Sequence, residues 1–418
     1  MNGNKSTKPS KTQIFTALKS PPFRRYWAGS LASVLGFQVM LIAQGWLVYD
    51  LSGSELYLGY AGLAAGIPAV LLNPFGGVVA DKVDPRRLLI VTQTMCSVLM
   101  IMLGAITLFG IVEVWHVLLF ACLIGCVNAF DMPTRQALFP HLINREDMMN
   151  AVALNSMVWQ GTRVVGPGIG GVIIGTRFGE GAGFLVASIG FVAMAVVTYS
   201  LAVPRIQRAS GNSIAHELVQ GIKYVWTHQV FLFLIGMTFF NSIFGMSYNI
   251  LLPVFARDVF DVGSSGLGLL GSATGCGAIL GTIFTASLGN FRHKGTLVLG
   301  GAISFGLLLI LFAVTSSAFA FFPLALILVF LAGISTSVYM VTIMTTLQML
   351  VPDELRGRVM GLYYMTFSLM PIGALQSGAI AQYTSAPFAV ALGGCAVVLF
   401  AVGMGISNRQ LRTLGSVG

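Results

Sequence analysis

The chain has 418 residues, of which 56% are hydrophobic and 9% are charged, and its formal net charge is +9. Its mean hydropathy is +0.85. A water-soluble globular domain carries roughly 25% charged residues, so this composition excludes that class. Apolar runs long enough to cross a hydrocarbon core of about 30 Å recur along the chain, and the period-two alternation typical of a β-barrel is absent. The sequence therefore predicts an all-α polytopic membrane protein.

Twelve apolar segments follow one another along the chain. The basic segment 1–26 precedes them, and it lacks the short apolar core and small-residue cleavage site of a signal peptide. The segment 204–229 separates two sets of six and contains SIAHELVQGIKYVWTH, which is typical of an amphipathic helix at a membrane surface. The sequence thus predicts two six-helix bundles, 27–203 and 230–406, and a tail, 407–418. The predicted spans are 27–50, 57–80, 88–110, 114–131, 149–175, 182–203, 230–254, 264–289, 296–315, 319–349, 360–382 and 386–406.

The positively charged residues predict the orientation. An even number of spans places both termini on one side of the membrane. Twenty of the 23 Lys and Arg residues fall in the termini and loops of that side, Arg177 and Arg257 fall on the other, and Arg163 lies within a span. Because cytoplasmic loops are enriched in Lys and Arg, both termini are expected in the cytoplasm, below a cell or inner membrane. The positive charge reports topology and gives no reason to expect a nucleic-acid partner.

The two sets of spans repeat part of their sequence. PTRQALFPHL (133–142) and TTLQMLVPDEL (345–355) align so that Gln136 matches Gln348 and Pro140 matches Pro352. GYAGLAAG (59–66) and GLLGSATG (268–275) likewise match three glycines of the second span with three of the eighth. Two halves in the same order predict parallel repeats around an axis along the membrane normal, with a substrate site between them near the midplane.

The loop after the second span reads GGVVADKVDPRRLLI, residues 76–90. It resembles the loop signature of the major facilitator superfamily, G-x-x-x-D-[RK]-x-x-x-[RK]. A glycine lets another helix approach closely, and an aspartate can bind a facing arginine or a helix N-terminus, so the loop is expected to act as a cytoplasmic gate. A weaker copy, SLGNFRHKG, has Asn290 where Asp81 stands. The gate residues are Gly77, Asp81, Lys82, Arg86 and Arg87.

Further segments resemble the enterobactin-exporter-like drug-efflux group of this superfamily. They are PPFRRYWAG (21–29), WLVYDLSGS (46–54), DMPTRQALFPHL (131–142) and AVALNSMVWQGTRVVGPGIGG (151–171), so the resemblance covers nearly the whole chain. It implies the twelve-helix major facilitator fold and proton-driven export of drugs, siderophores or related amphipathic metabolites. Gly166, Pro167, Gly170 and Gly171 resemble the fifth-helix motif of antiporters, where a bend and close packing would serve a moving seam.

Ionisable groups inside the spans are the candidates for coupling, because they are costly in a bilayer. Arg163 is the only basic residue near the centre of a predicted span. Asp50, at the outer end of the first span, and Asp131, at the inner end of the fourth, are its candidate partners. The predicted fourth span lacks the Arg that many proton-coupled antiporters carry there. Arg163 is therefore either a structural salt bridge or a contact for coupling or substrate, and the sequence leaves both open.

A substrate cavity is expected between the halves, and the resemblance implies that spans one, four, seven and ten line it. Neutral polar and aromatic residues match an amphipathic substrate, although each can equally form an ordinary hydrogen bond between helices. The candidates are Gln38, Gln44, Trp46, Asn128, Trp159, Gln160, Asn241, Tyr248, Asn249, Tyr339, Thr342 and Gln376.

The sequence contains no P-loop, catalytic triad or metal-ligand spacing, so an ATP-driven pump, an enzyme and a cofactor are not expected. The leading hypothesis is a monomeric proton-coupled exporter of amphipathic small molecules that works by alternating access in the lipid bilayer. An importer or facilitator of a small metabolite is the alternative. A non-transporting receptor or assembly partner is a third hypothesis, which the gate motif and the Gly-Pro motif disfavour.

Overall fold

The computed structural model describes residues 16–201, 223, 225–289, 291 and 293–407, and these residues are almost entirely helical. We number the helices in the order of the predicted spans. The first six are α1 Pro21–Ser52, α2 Glu55–Lys82, α3 Pro85–Leu108, α4 Val114–Leu138, α5 Met148–Ile174 and α6 Gly179–Tyr199. The remaining ones are α7 Gln229–Val259, α8 Gly263–Ser287, α9 Lys294–Phe319, α10 Phe322–Leu350, α11a Asp353–Phe367, α11b Met370–Tyr383 and α12 Ala386–Ser407.

Two of the helices are irregular. Helix α7 includes π-helical turns at Asn241–Gly245 and Phe255–Val259. The eleventh predicted span is divided, and Pro371 lies in the first turn of its second part, α11b. A proline is tolerated in a first turn because the backbone N–H it lacks has no helical partner there. Helix α11a therefore ends at Phe367, and α11b begins at Met370 with the proline in its first turn.

Most of the described helices suit a bilayer. Ten of them are long and apolar enough to cross a membrane. Helix α5, which carries Arg163, and the divided α11 complete the twelve predicted spans. The arrangement is consistent with the predicted twelve-helix bundle. Most of the amphipathic stretch predicted within 204–229 lies outside the described residues.

The two halves pack in the same way. In the first half α2 packs on α4, and α6 packs on both α1 and α3. In the second half α8 packs on α10, and α12 packs on both α7 and α9. Each pairing thus recurs six helices later in the chain. This recurrence agrees with the sequence repeat and identifies the fold as two pseudo-symmetric six-helix bundles.

The fourth helix is longer than predicted. We expected it to end at residue 131 and to leave Arg135 in a charged loop, but α4 continues to Leu138 and Arg135 is only 8% exposed. Arg135 lies one turn after Asp131, and their side chains form an ion pair. Two opposite charges at this spacing face the same side of a helix and neutralise each other, so both can be buried.

Candidate functional site

The halves contact each other at one end of the bundle. We call this the closed end; α1 and α5 finish there, and α2 and α8 begin there. Across the seam α2 packs on α11b, and α5 packs on α8. The opposite end, where α1 begins and α2 finishes, we call the basic end, because most Lys and Arg residues lie there. The two seams are the framework of the candidate site.

The glycines matched by the sequence repeat make these seams. A Cβ added to Gly171 of α5 would lie 2.9 Å from the Cα of Gly268 on α8. The related contact joins Gly378 of α11b to Gly59 of α2, where an added Cβ would lie 3.3 Å from the Cα of Gly59. Only glycine permits backbones to approach this closely. The repeat seen in the sequence is therefore a repeat of the contact between the halves.

Both seams end about halfway along the helices. The last cross-half glycine contacts are those of Gly66 with Pro371 and of Gly275 with the backbone of Arg163. Further along the same two helices, Gly76 contacts α4 and Gly281 contacts α10, so each packs within its own half. The halves consequently separate beyond the level of Arg163. Nearer the basic end of α5, an added Cβ on Gly161 would meet nothing within 4 Å, and we infer that the space between the halves forms a central cavity that opens at the basic end.

The fifth-helix motif faces two neighbours. Gly166 and Gly170 lie against Gln38 and Ile42 of α1, respectively. Pro167 and Gly171 lie against α8, where an added Cβ on Gly271 would be 2.7 Å from the Cβ of Pro167. The four motif residues therefore join α1 of their own half to α8 of the other half.

Polar groups hold the closed end together. Arg257 Nη1 of α7 donates to Asp50 Oδ1 of α1 at 2.6 Å, and the Tyr49 hydroxyl donates to Asp258. We call these two contacts the end latch. The prediction that Asp50 pairs with Arg163 is wrong, because Asp50 lies at the helix end and binds Arg257 instead. Both members of that ion pair are about half exposed.

A buried polar cluster surrounds Asp131, which is 4% exposed. Its Oδ2 accepts from Arg135 Nε at 2.6 Å, and its Oδ1 accepts from Thr92 Oγ1 at 2.7 Å and from Gln93 Nε2 at 2.6 Å. Ser33 of α1 accepts from Arg135 Nη2 at 2.7 Å and donates to Gln93 Oε1 at 2.8 Å. We call these five residues the α4 cluster. The prediction that Asp131 pairs with Arg163 is therefore also wrong.

The α4 cluster borders a pocket between the helices of the first half. The pocket has a volume of about 20 Å³ and is lined by Ser33, Val34, Phe37, Gln93, Asn128, Asp131, Met132, Arg135, Trp159 and Phe191. Two predicted cavity residues, Asn128 and Trp159, are among them. Trp159 lies one helical turn from Arg163 on α5, which places the pocket beside the central cavity.

Arg163 faces the interior of the bundle. The exposed residues Val165 and Val172 lie about 180–200° around the helix from it, at roughly 100° per residue, and therefore mark the lipid side of α5. Pro167 and Gly170 lie within about 40° of Arg163 and contact α8 and α1. The Arg163 side chain is nevertheless exposed, and Tyr248 of α7 is near it. It therefore extends into the cavity between the halves.

The gate motif makes its described contacts within the first half. Arg86 Nε donates to the Thr198 carbonyl oxygen at 3.1 Å, and its guanidinium also binds the Tyr199 carbonyl oxygen at the end of α6. Arg87 lies 3.8 Å from Asp84, and Lys82 is exposed. The expected close approach at Gly77 is wrong for this conformation, since an added Cβ there would meet nothing within 4 Å.

The adjacent Gly76 makes the close approach, because it is the residue packed on the α4 backbone at Ala129. Nothing is described for the Asp81 side chain. The gate role of the motif stays a prediction.

Four of the predicted cavity residues are instead buried in the second half. The Tyr339 hydroxyl donates to Asn241, which joins α10 to α7, and Thr342 donates to the Val338 carbonyl oxygen at 2.7 Å. Tyr248 is only 2% exposed, although it interacts with Arg163. Tyr339 and Asn241 thus bond between two helices and Thr342 bonds within its own helix, so these buried side chains do not line a cavity in this conformation.

The remaining cavity candidates are accessible to different degrees. Asn249 is exposed, and its amide donates to the Met246 carbonyl oxygen at 3.1 Å. Trp46 packs against the main hydrophobic core. The half-buried candidates are Gln38, Gln44, Trp46, Asn128, Trp159, Gln160 and Gln376.

Sequence reasoning missed four members of the α4 cluster, namely Ser33, Thr92, Gln93 and Arg135. The available signal was the spacing of Asp131 and Arg135, which is four residues within a segment that can be helical. The polar residues of α1 and α3 carried no comparable signal, because only the packing of three helices brings them together.

Comparison with known proteins agrees with this arrangement. A sequence model described as transmembrane secretion effector matches residues 12–417. The chain is 24% identical to the staphyloferrin A transporter of Staphylococcus aureus, over 93% of this chain and 96% of that protein. It is also 24% identical to the multidrug efflux pump Tap of Mycolicibacterium fortuitum, over 88% and 91%.

The fold is similar to that of a bacterial homolog of the human lysosomal transporter Spinster in an inward-facing and unoccupied conformation. The TM-score is 0.69 at 15% identity, over 98% of each chain. The fold, the seams and the match along nearly the whole chain lead to one conclusion: the chain belongs to the transmembrane secretion effector family, and it is a multi-pass membrane transporter of the major facilitator superfamily.

Proposed function

We propose that the protein is a proton-coupled exporter of amphipathic small molecules that works by alternating access. The charge distribution supports a cytoplasmic basic end, since Lys and Arg are enriched in cytoplasmic loops. The cavity of this structure then faces the cytoplasm, which is the state in which an exporter accepts its substrate. Both termini lie in the cytoplasm in this proposal, and the substrate leaves after the end latch and the seams open.

The observation that carries the proton coupling is the α4 cluster. Asp131 is a carboxylate buried within a membrane span and placed beside a pocket that adjoins the cavity. Ionisable residues in such positions are costly and commonly serve proton transfer. Protonation of Asp131 would remove its negative charge, weaken its bond to Arg135 and free the guanidinium to move. In this proposal the exchange of that proton drives the change between inward-open and outward-open states.

The similar proteins support export as the direction. One relative is named as a multidrug efflux pump, and another is named as the staphyloferrin A transporter. Neutral and aromatic side chains at the pocket, such as Trp159 and Asn128, suit a substrate with a large apolar body. An importer or facilitator is the alternative, because the same fold supports movement in either direction.

The direction is tested with three amphipathic dyes of different charge: ethidium, Nile red and pyrenebutyrate. Cells that produce the protein should expel at least one of them faster than cells that lack it, and an uncoupler should abolish the difference. Uncoupler-insensitive efflux would rule out proton coupling. Uptake of all three with no efflux would favour the importer.

The coupling residue is tested by Asp131→Asn, which keeps the shape of the side chain and removes its titratable proton. We expect proteoliposomes containing this variant to lose dye accumulation driven by a proton gradient by at least about tenfold. Exchange of dye across the membrane without a gradient should continue, because exchange does not require net proton movement. Glu113→Gln is the control, because the Glu113 side chain bonds to Trp115 within the first half, and it should retain gradient-driven accumulation. Accumulation by Asp131→Asn at the wild-type rate would refute the role of Asp131.

A further inference from the structure

The part of the cavity nearest the closed end carries one exposed positive charge, that of Arg163. Arg163 lies at the level where the α5–α8 seam ends, because its own backbone makes the last contact with Gly275. Its side chain faces away from the lipid-facing residues Val165 and Val172 and remains exposed. A molecule that enters from the basic end would therefore reach this guanidinium at the deepest point of the cavity.

No described carboxylate neutralises Arg163. The ion pairs among residues 16–201, 223, 225–289, 291 and 293–407 are Asp84–Arg87, Asp131–Arg135 and Asp50–Arg257. Both oxygens of Asp131 are already occupied by its own cluster. The described titratable neighbour of Arg163 is Tyr248, whose hydroxyl is neutral in its ordinary state. The cavity therefore lacks a fixed counter-charge at this point.

The positive charge is specific to the first half. The contact between Gly171 and Gly268 corresponds to that between Gly378 and Gly59. This register places Met370, at the start of α11b, in the position equivalent to Arg163. Both seams need glycines for close packing. The seam of α11b with α2 packs closely with Met370 at the equivalent position, so close packing does not require a cation there. Arg163 therefore needs a reason other than packing.

A guanidinium without a fixed counter-charge is matched best by an anion. Arginine offers a planar fork of donors that matches a carboxylate with two parallel hydrogen bonds. Trp159 lies one turn closer to the basic end on the same helix and offers an aromatic surface to an apolar group. The order along α5 is thus a cation at the deep end and an apolar surface nearer the entrance.

We infer that the transported substrates are amphipathic anions, and that Arg163 binds their carboxylate while Trp159 contacts their apolar part. This inference rests on the proposed function and specifies its substrate class. Recognition of the anion occurs in the inward-open state described above, before any proton-driven step. Binding can therefore be measured without a gradient.

The test compares two ligands that differ only in charge: 1-pyrenebutyric acid and its methyl ester. Binding to the full-length protein in lipid nanodiscs is followed by energy transfer from tryptophan to pyrene, with empty nanodiscs as the blank. The wild type should bind the acid at least about tenfold more tightly than the ester, as expected for one charged hydrogen-bonded pair. The variant Arg163→Gln should bind the two equally, with the ester affinity unchanged.

Two further variants make the result specific. Arg163→Met reproduces the residue at the equivalent position of the second half, and it should lose the preference as Arg163→Gln does. Arg177→Gln removes the same charge outside the cavity, at the closed end, and it should keep the preference. No preference in the wild type, or a preference that survives in both Arg163 variants, would overturn the inference. If either of these results were found together with uncoupler-sensitive dye efflux, the proposed export would be retained and only the preference for anions would be rejected.

Discussion

Asp131 and Arg135 show how a membrane span tolerates two charges. Each carboxylate oxygen of Asp131 accepts at least one hydrogen bond, and Arg135 binds both the carboxylate and Ser33. Burial of an ion costs several kcal/mol, and only such saturated bonding offsets that cost. The cluster is therefore stable while both charges are present. It becomes unfavourable when one of them is removed, which is the property that a proton-driven switch requires.

The energetics of this pair are tested by a double-mutant cycle in detergent micelles. Arg135→Leu should lower the free energy of unfolding by about 3–5 kcal/mol, because it leaves Asp131 charged and buried without its partner. The double variant Asp131→Asn with Arg135→Leu should lose less than Arg135→Leu alone, since no uncompensated charge remains. A loss in the double variant equal to the sum of the losses in Asp131→Asn and Arg135→Leu would show that the two side chains do not interact.

Helix α5 combines two functions on different parts of one helix. The C-terminal part of α5, from Gly166 to Gly171, carries small residues that let α1 and α8 approach closely. The N-terminal part of α5 faces the pocket and the cavity with Trp159 and Arg163. The boundary between the parts coincides with the level at which the seam ends. In the proposed mechanism, the helix thus joins the surface that contacts the substrate directly to the contact that opens during transport.

The seam is tested by Gly171→Ala, with Gly161→Ala on the same helix as the control. An added methyl group at Gly171 would lie 2.5 Å from the Ser264 carbonyl oxygen, whereas one at Gly161 would meet nothing within 4 Å. We expect Gly171→Ala to separate the halves at the closed end and Gly161→Ala to leave the wild-type distance. Spin labels on cysteines replacing Phe178 and Phe321, which are 53% and 58% exposed, report that distance. An unchanged distance in Gly171→Ala would contradict the role of the glycine.

At the scale of the molecule, the two halves contact each other at the closed end and separate toward the basic end. The closed end combines tight glycine packing with the end latch, and the latch is partly exposed to solvent. Exposed ion pairs contribute about 0.2–1 kcal/mol. The latch therefore adjusts the balance between the two states, while the packed seams provide most of the closure. Such a weak latch can be released without a large energy input.

Removal of the latch should change this balance modestly. With the same spin labels, Asp50→Asn should raise the population of the form open at the closed end by at most about fivefold, the effect of 1 kcal/mol. High salt should reduce the difference from wild type, because salt screens exposed charges. Glu113→Gln is the control, since the Glu113 side chain bonds to Trp115 within the first half. A shift as large in the control would assign the effect to net charge.

The orientation has its own test in intact cells. Phe109 at the closed end and Met149 at the basic end are 79% and 83% exposed. In a variant without the five native cysteines, a membrane-impermeant maleimide should label Phe109→Cys directly. Met149→Cys should react only after the membrane is permeabilised. The opposite pattern would reverse the proposed direction of the cavity.

The sequence by itself determined the features that depend on local composition. Apolar length predicted the spans, charge bias predicted an orientation, and repeated glycines predicted two similar halves, because each is read within one segment. It also identified Arg163 as an unusual residue, since no local context explains a cation in an apolar run. It failed at Asp131, which was taken as the end of the fourth span although its partner Arg135 lies one turn later in the same helix.

Only the tertiary structure decided which groups meet. It assigned Asp131 to Arg135 and Asp50 to Arg257, and it left Arg163 exposed in the cavity. It buried Asn241 and Tyr339 against each other, although both had been expected to face substrate. It also established that the seams close at one end only. These outcomes depend on how helices far apart in the chain are rotated and placed against each other, and in an apolar helix the sequence pattern specifies that rotation only weakly.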